Sequence, residues 1–434
     1  MRDPRTADQL GSLVNSFDPW LAVSGSYDTT LDQPAGTTGS IRRALALSGG
    51  LSAMRSFQRT VLAFDYSGSG VDYLGHNGRG WLGSNVASLA VSSQVSRRWT
   101  LDLSEVGGAA NGGFGATAAG LQGGLGVLGS LGVSGGYLSG AGLGLAAVSG
   151  GLGALSNGLV DADYYQRMAY FSSTSANAGV LLTDHTMLNF GGGGSFVRRE
   201  GSGITDSNSG AANVMLSTQM TRTLVGYAGY TFEQVSFVEG SRNADVQGGF
   251  AGLRFDLSPH DQLALSASGS YVRMKFATAI TLPPDVAALL GVSTTTVVTD
   301  SSQSFTGGTL SYYHEFQRGG FNLGCVSQVV PGNDLIAMAR SEGCTVSLSR
   351  ILTPRISVNG IGGARRMNGL SQAGARYDVF SGGLIFSYRV FRGMSLTAGA
   401  SYRAAEMHPS TTSITGVEAS GGLRWSPRDE IGMF

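Results

Sequence analysis

Apolar and small polar residues alternate at period two, segment after segment, along almost the whole of this chain. That period sends successive side chains to opposite faces of a strand, which commits the chain to β-structure. In MSLTAGASYR, Met394, Leu396, Ala398, Ala400 and Tyr402 share one face, and Ser395, Thr397, Gly399, Ser401 and Arg403 share the other. In VEASGGLRW, Val417, Ala419, Gly421, Leu423 and Trp425 oppose Glu418, Ser420, Gly422 and Arg424. Near the start, Thr60, Leu62, Phe64 and Tyr66 oppose Arg59, Ala63, Asp65 and Ser67.

The strands are joined in a regular way. An apolar residue followed by Ser or Thr leads into a tight polar turn in VSRRWTLDL from Val95, LTDHTMLNF from Leu182, MTRTLVGYA from Met220, LSPHDQLAL from Leu257 and LTPRISVNG from Leu352. Longer connections, at 30–39, 71–83, 107–166, 200–208, 237–243, 277–301, 330–337, 368–375 and 406–414, alternate with these short turns. The pattern predicts about eighteen antiparallel strands, within a range of about sixteen to twenty. An even count lets the sheet close on itself, with no edge left to pair.

Composition decides what surrounds that sheet. Charged residues make up 13% of the 434, glycine numbers 68, and Lys275 is the sole lysine. A soluble chain carries about a quarter of its residues as charges. A mean hydropathy of +0.07 is too low for a bundle of membrane helices. Few charges with intermediate hydropathy are what alternate lipid-facing and lumen-facing residues produce. The expected fold is therefore all-β, a transmembrane antiparallel β-barrel over residues 18–427, preceded by a short periplasmic segment, 1–17, and followed by a tail, 428–434. A soluble β-sandwich or β-helix would alternate too, but with Lys and Glu on its polar face. The opening MRDPRTADQLGSLVN lacks the apolar core of a secretory leader, so the start is read as processed or truncated.

Two loops stand out. The stretch from Val106 to Val160 has no charged residue and is more than a third glycine, a density that opposes helix. It is expected to be a long external loop that folds into the lumen, spreads over the rim, or serves self-association. In the external loop 277–301, LPPDVAALLG predicts a short helix from about Pro284 to Leu290. Cys325 and Cys344 fall on neighbouring strands, where they are either a disulfide or two small apolar residues.

Catalytic and ligand-binding patterns are weak. Gly124 to Gly129 spells G-x-G-x-x-G and Gly132 to Gly136 spells G-x-S-x-G, but both lie inside the glycine-rich tract without a strand opening into a helix. His76, His185, His260, His314 and His408 are dispersed, and Asp161 with Asp163 supply too few ligands for calcium. No enzyme activity, cofactor or metal is expected. The formal net charge of zero argues against nucleic acid as a partner.

The alternating strands, the repeated turn element and the asymmetry of the loops resemble outer-membrane β-barrel proteins of diderm bacteria, from about Asp18 to Pro427, with a porin-like architecture. The resemblance implies insertion by the barrel assembly machinery into an outer membrane with lipid and lipopolysaccharide around the chain. Both termini are expected in the periplasm. The candidate lumen lining is Arg59, Asp65, Asp102, Arg254, Asp256, Arg355, Arg403, Glu418 and Arg424, whose signs balance. That balance favours a channel for passive passage of small, neutral solutes. Two alternatives stay open: a non-conducting anchor barrel whose glycine-rich loop binds a cell-surface partner or its own copies as a homo-oligomer, and the outer-membrane component of an export or electron-transfer complex.

Overall fold

The computed structural model describes residues 16–29, 42–74, 82–111, 168–200, 206–237, 242–281, 285, 294–331, 338–370, 376–408 and 412–427. They form β1 (Ser16–Asp28), β2 (Arg42–Ser56), β3 (Thr60–Leu74), β4 (Leu82–Ser93), β5 (Trp99–Asn111) and β6 (Met168–Leu181). Next come β7 (Thr186–Arg199), β8 (Ser207–Gln219), β9 (Leu224–Phe237), β10 (Arg242–Ser258), β11 (Asp261–Thr281) and β12 (Thr294–Phe316). The last six are β13 (Gly319–Pro331), β14 (Met338–Thr353), β15 (Ile356–Gly369), β16 (Arg376–Phe391), β17 (Met394–His408) and β18 (Thr412–Trp425). Each strand pairs antiparallel with its sequence neighbours, and β18 returns to pair with β1, so the 18-stranded sheet is closed. The closing ladder runs from Leu21↔Trp425 to Asp28↔Glu418, shorter than the β1–β2 ladder from Ser16↔Met54 to Asp28↔Arg42.

The recurring turn element has a local cause. The Ser96 hydroxyl accepts the backbone N–H groups of Arg98 and Trp99, and Thr353 does the same for Arg355 and Ile356. Thr183, Thr221 and Ser258 accept from His185, Thr223 and His260. A short hydroxyl side chain thus replaces the backbone acceptor that a two-residue reversal leaves out. Gly393, at φ 80°, supplies the left-handed residue of the β16–β17 turn. Register shifts between Asp256 and Ser258, Ile351 and Thr353, and Arg389 and Phe391 all lie next to short turns.

The connections at the other end are less uniform than the sequence suggests. β11 runs on to Thr281 and β12 begins at Thr294, so much of the expected loop 277–301 is strand. β17 reaches His408 and β18 starts at Thr412, which leaves residues 409–411 between them. Runs such as Thr294 to Val298 and Thr412 to Thr415 are rich in β-branched residues, which suit a pleated strand. β5 likewise extends to Asn111. The short helix expected at 284–290 lies outside the described residues apart from Asp285, as do the glycine-rich loop beyond Asn111, residues 1–15 and residues 428–434.

Register carries one face continuously around the barrel. Leu21, Val23 and Tyr27 continue into Leu45 and Leu47, then Leu62 and Tyr66, and finally Leu396, Tyr402, Val417, Leu423 and Trp425, all of them exposed. Burying one such side chain is worth about 1.5–3 kcal/mol, so an outward surface of this kind calls for an apolar solvent, and closure removes every strand edge from it. Aromatic residues bound the belt. Trp99, Tyr388, Phe391 and Trp425 are exposed near the short turns, and Tyr170, Phe196, Phe380 and Tyr402 are exposed higher up the wall. Along β16, Phe391 and Phe380 are separated by roughly 28 Å at the usual strand rise and tilt, close to the ~25 Å apolar band of a bacterial barrel.

Candidate solute pathway

The opposite face of every strand points into the lumen, and its chemistry changes along the barrel axis. Cross-strand hydroxyl pairs recur around the wall: Ser69 with Ser84 at 2.8 Å, Ser104 with Ser175 at 2.6 Å, Ser195 with Ser209 at 2.7 Å and Ser266 with Thr309 at 2.7 Å. In each pair one hydroxyl donates to the other, which leaves the second proton and further lone pairs on the lumen side. Small side chains on the inward face hold the wall back from the axis.

Toward the short-turn end lies a cavity of about 550 Å³, lined by Trp20, Asn322, Asn359, Ser395 and Arg424 among others. The Arg424 guanidinium stacks 5.0 Å from the centroid of the Trp20 ring, across the β1–β18 seam. Stacking is one of the contacts that fix the direction of this guanidinium.

The residues singled out in the sequence occupy different stations. Asp65 faces inward on β3, is only 1% exposed, and accepts a hydrogen bond from Ser52 on β2. Asp102 on β5 is hydrogen-bonded by Ser92. Arg254 and Asp256, two residues apart on β10, approach to 3.6 Å, and Gln262 Nε2 donates to Asp256 at 2.9 Å. Glu418 lies opposite Ser401 and Asp28 in register, and Arg403 lies opposite Ser381 and Gly416. Arg59 and Arg355 are in short turns at the mouth. The set is spread over β3, β5, β10, β17 and β18 rather than gathered on one strand pair. Cys325 and Cys344, directly opposed on β13 and β14 with Cα atoms 4.0 Å apart, form a disulfide on the outward face.

Inward polar side chains that escaped the sequence reading include Trp20 on β1, Glu233 on β9 and Arg365 on β15, which share the lumen face by register. Arg365 was findable, because period two from Ile356 and Val358 puts Arg366 on their apolar face and Arg365 on the other; Arg366 points outward and pairs with Asp378 at 2.9 Å.

Toward the long-loop end the inward face turns apolar and is buried. Val330, Ala339, Met367, Tyr377 and Ala405 form one cluster, and Val235, Ala244, Val272, Met274 and Met338 form another. Val272, Met274 and Val235 are 0% exposed. The lumen wall is thus polar lower down and apolar near the long-loop ends of β9–β11 and β13–β17. Among the described residues no three His, Cys, Asp or Glu side chains converge as a metal-binding group.

No protein-family model matches the chain, and no curated protein matches it by sequence. Among solved structures it is similar to the ferric yersiniabactin uptake receptor FyuA from Yersinia pestis, with 10% identity and a TM-score of 0.43 over 93% of this chain and 65% of that one. It is also similar to Acinetobacter baumannii OccAB4, with 10% identity and a TM-score of 0.40 over 95% of this chain and 98% of that one. The copper transporter OprC shares 8% identity and a TM-score of 0.42, over 91% of this chain and 62% of that one.

Proposed function

We propose that this chain is an outer-membrane channel for passive passage of small, neutral solutes, with its short turns and both ends in the periplasm. The observation that carries the reading is the polar lumen face, with cross-strand hydroxyl pairs at several stations of the wall and, apart from them at the short-turn end, a cavity of about 550 Å³ lined by Ser52, Asn322, Asn359 and Ser395 among others. Hydroxyls exchange hydrogen bonds with sugars, alcohols or water without demanding a charge. The acids Asp65, Asp102 and Glu418 stand against Arg254, Arg403 and Arg424, so neither ion sign is favoured along the path.

A second reading is favoured by the buried apolar clusters on β9–β11 and β13–β17. Val, Met, Ala and Tyr resist wetting, and a barrel shut by them would act as an anchor rather than a pore.

Planar-bilayer recording separates the two. The channel predicts discrete conductance steps from the purified protein, with little selectivity between potassium and chloride. Replacement of Val272 and Met367 by serine should raise the open probability if the two apolar clusters are a gate. A folded barrel that is silent in the native form, in that double variant, and after deletion of residues 113–160 would overturn the channel and leave the anchor.

A further inference from the structure

Polar side chains on opposed strands bond to each other in one part of the lumen and not in another. Ser69 and Ser84, Ser104 and Ser175, and Ser195 and Ser209 are direct cross-strand neighbours, and a hydrogen bond joins each pair. Around the cavity at the short-turn end the same relationship leaves the groups open. Ser357 stands opposite Ser387, and Asn322 opposite Ser347. Asn359 lies two residues along β15 from Ser357, and Ser395 stands opposite both Arg389 and Arg424. The side chains of Asn322, Ser347, Ser357, Asn359, Ser387 and Ser395 have no hydrogen-bond partner among the described groups, and all six line the cavity.

What these six offer defines what would satisfy them. An amide donates two protons and accepts on its oxygen, and a hydroxyl donates one and accepts on its lone pairs. Two amides and four hydroxyls therefore present donors and acceptors side by side, without charge. The charges on the same inward surface cancel, Arg389 and Arg424 against Asp18 and Glu315, while Arg318 in the β12–β13 turn and Arg350 on the outward face stand at the rim. An anion would use only the donors, and a cation only the acceptors. A ligand that uses both at each contact carries hydroxyls of its own. Opposed Cβ atoms on neighbouring strands lie about 4.5–5.5 Å apart, so one six-membered ring bearing several hydroxyls reaches groups on two strands together. The volume of about 550 Å³ falls within the roughly 300–1,000 Å³ of small-molecule sites. A Cβ at Gly50 would fall 2.6 Å from the Trp20 Nε1, so glycine there admits the indole on which Arg424 stacks at the cavity wall.

We propose that this cavity is a binding site for a neutral polyhydroxylated ring, a monosaccharide unit, at the short-turn mouth of the passage. The proposal rests on the channel reading and names the class of solute.

The test pairs calorimetry on the detergent-solubilised full chain with single-channel recording, using glucose as the probe. Glucose should bind saturably and reduce the single-channel current over the same concentration range. Triethylene glycol, with hydroxyls only at its ends, should do neither. Asn322→Ala combined with Asn359→Ala should weaken glucose binding by about tenfold, and Asn213→Ala on β8, outside the cavity, should leave it unchanged. Heat-modifiable migration on gels identifies the folded variants, and the comparison of solutes on the native protein decides the matter if the double variant does not fold. A conducting channel that ignores glucose, binding of gluconate in place of glucose, or undiminished affinity in the folded double variant overturns the site. A chain that is silent in the bilayer yet binds glucose in detergent overturns passage and leaves the site standing.

Discussion

At the short-turn rim, His314 Nδ1 lies 2.6 Å from Oδ1 of Asp261, tying the end of β12 to the start of β11. Tyr312 donates to the same oxygen at 2.8 Å, and the Ser258 hydroxyl donates to Oδ2 at 2.5 Å. The Ser258 bond first, then His314 and Tyr312, hold the Asp261 carboxyl down from 3.8 to about 2. A carboxylate whose folded value is depressed stabilises the fold above its unfolded value and loses that contribution as pH falls through the folded one. The stabilisation from this cluster should therefore be complete above about pH 4 and vanish toward about pH 2. Midpoints of thermal unfolding in detergent, taken across that range, should show the slope in the native protein and a flatter line in Asp261→Asn. Identical slopes would remove Asp261 as the cause.

The turn hydroxyls should each contribute measurably. Thr353→Ala removes the acceptor for two backbone N–H groups and should cost about 1 kcal/mol, read as a lower urea midpoint on refolding into vesicles. Thr353→Ser keeps the oxygen and should stay near the native value. Equal losses in both would point to the methyl group instead.

Within the channel reading, Asp65→Asn should leave the barrel intact and shift permeability toward anions. The asparagine still accepts from Ser52, so packing at this buried site is kept while one negative charge leaves the wall. Reversal potentials in a potassium chloride gradient check the sign. An unchanged reversal potential would place Asp65 away from the ion path.

The Cys325–Cys344 bridge closes a loop of 19 residues between strands that are already paired along their length. Loop entropy gives it up to about 3 kcal/mol. Cys344→Ser should lower the unfolding midpoint yet still yield a folded barrel. Because the pair faces outward, a membrane-permeant maleimide should label the native protein only after reduction, by mass spectrometry. Labelling without reductant would contradict the bridge.

The strands were legible because the lipid and lumen faces impose one rule on every residue, and the closed register repeats that rule eighteen times. Strand ends were less legible, since β11 and β12 run past the apolar belt, where no solvent boundary disciplines the alternation. Loop lengths were misjudged there for the same reason, as at 277–301 and 406–414. The lumen set was partly legible. Asp65 and Arg424 follow from parity, but Arg59 and Arg355 look like strand residues until the turn is placed around them. Glu105 on β5 shares the outward parity of Leu101 and Leu103, yet a glutamate in an alternating strand reads as another lumen group. What sequence lacks is height: period two gives the face a residue occupies, and only the finished barrel says how deep in the membrane it sits.

The short ladder between β1 and β18 also bears on how the barrel comes together. Every other pairing joins strands that are adjacent along the chain, whereas Leu21 must find Trp425 across nearly the full length of the polypeptide. That encounter is the most expensive in chain entropy and is secured by fewer pairs than the β1–β2 ladder. Closure of the whole sheet thus rests on the ladder with the largest sequence separation, shorter than its neighbour on β1. The cost of making a ring out of a ribbon is concentrated at one line of the wall, and the stacked Arg424 and Trp20 lie on that line.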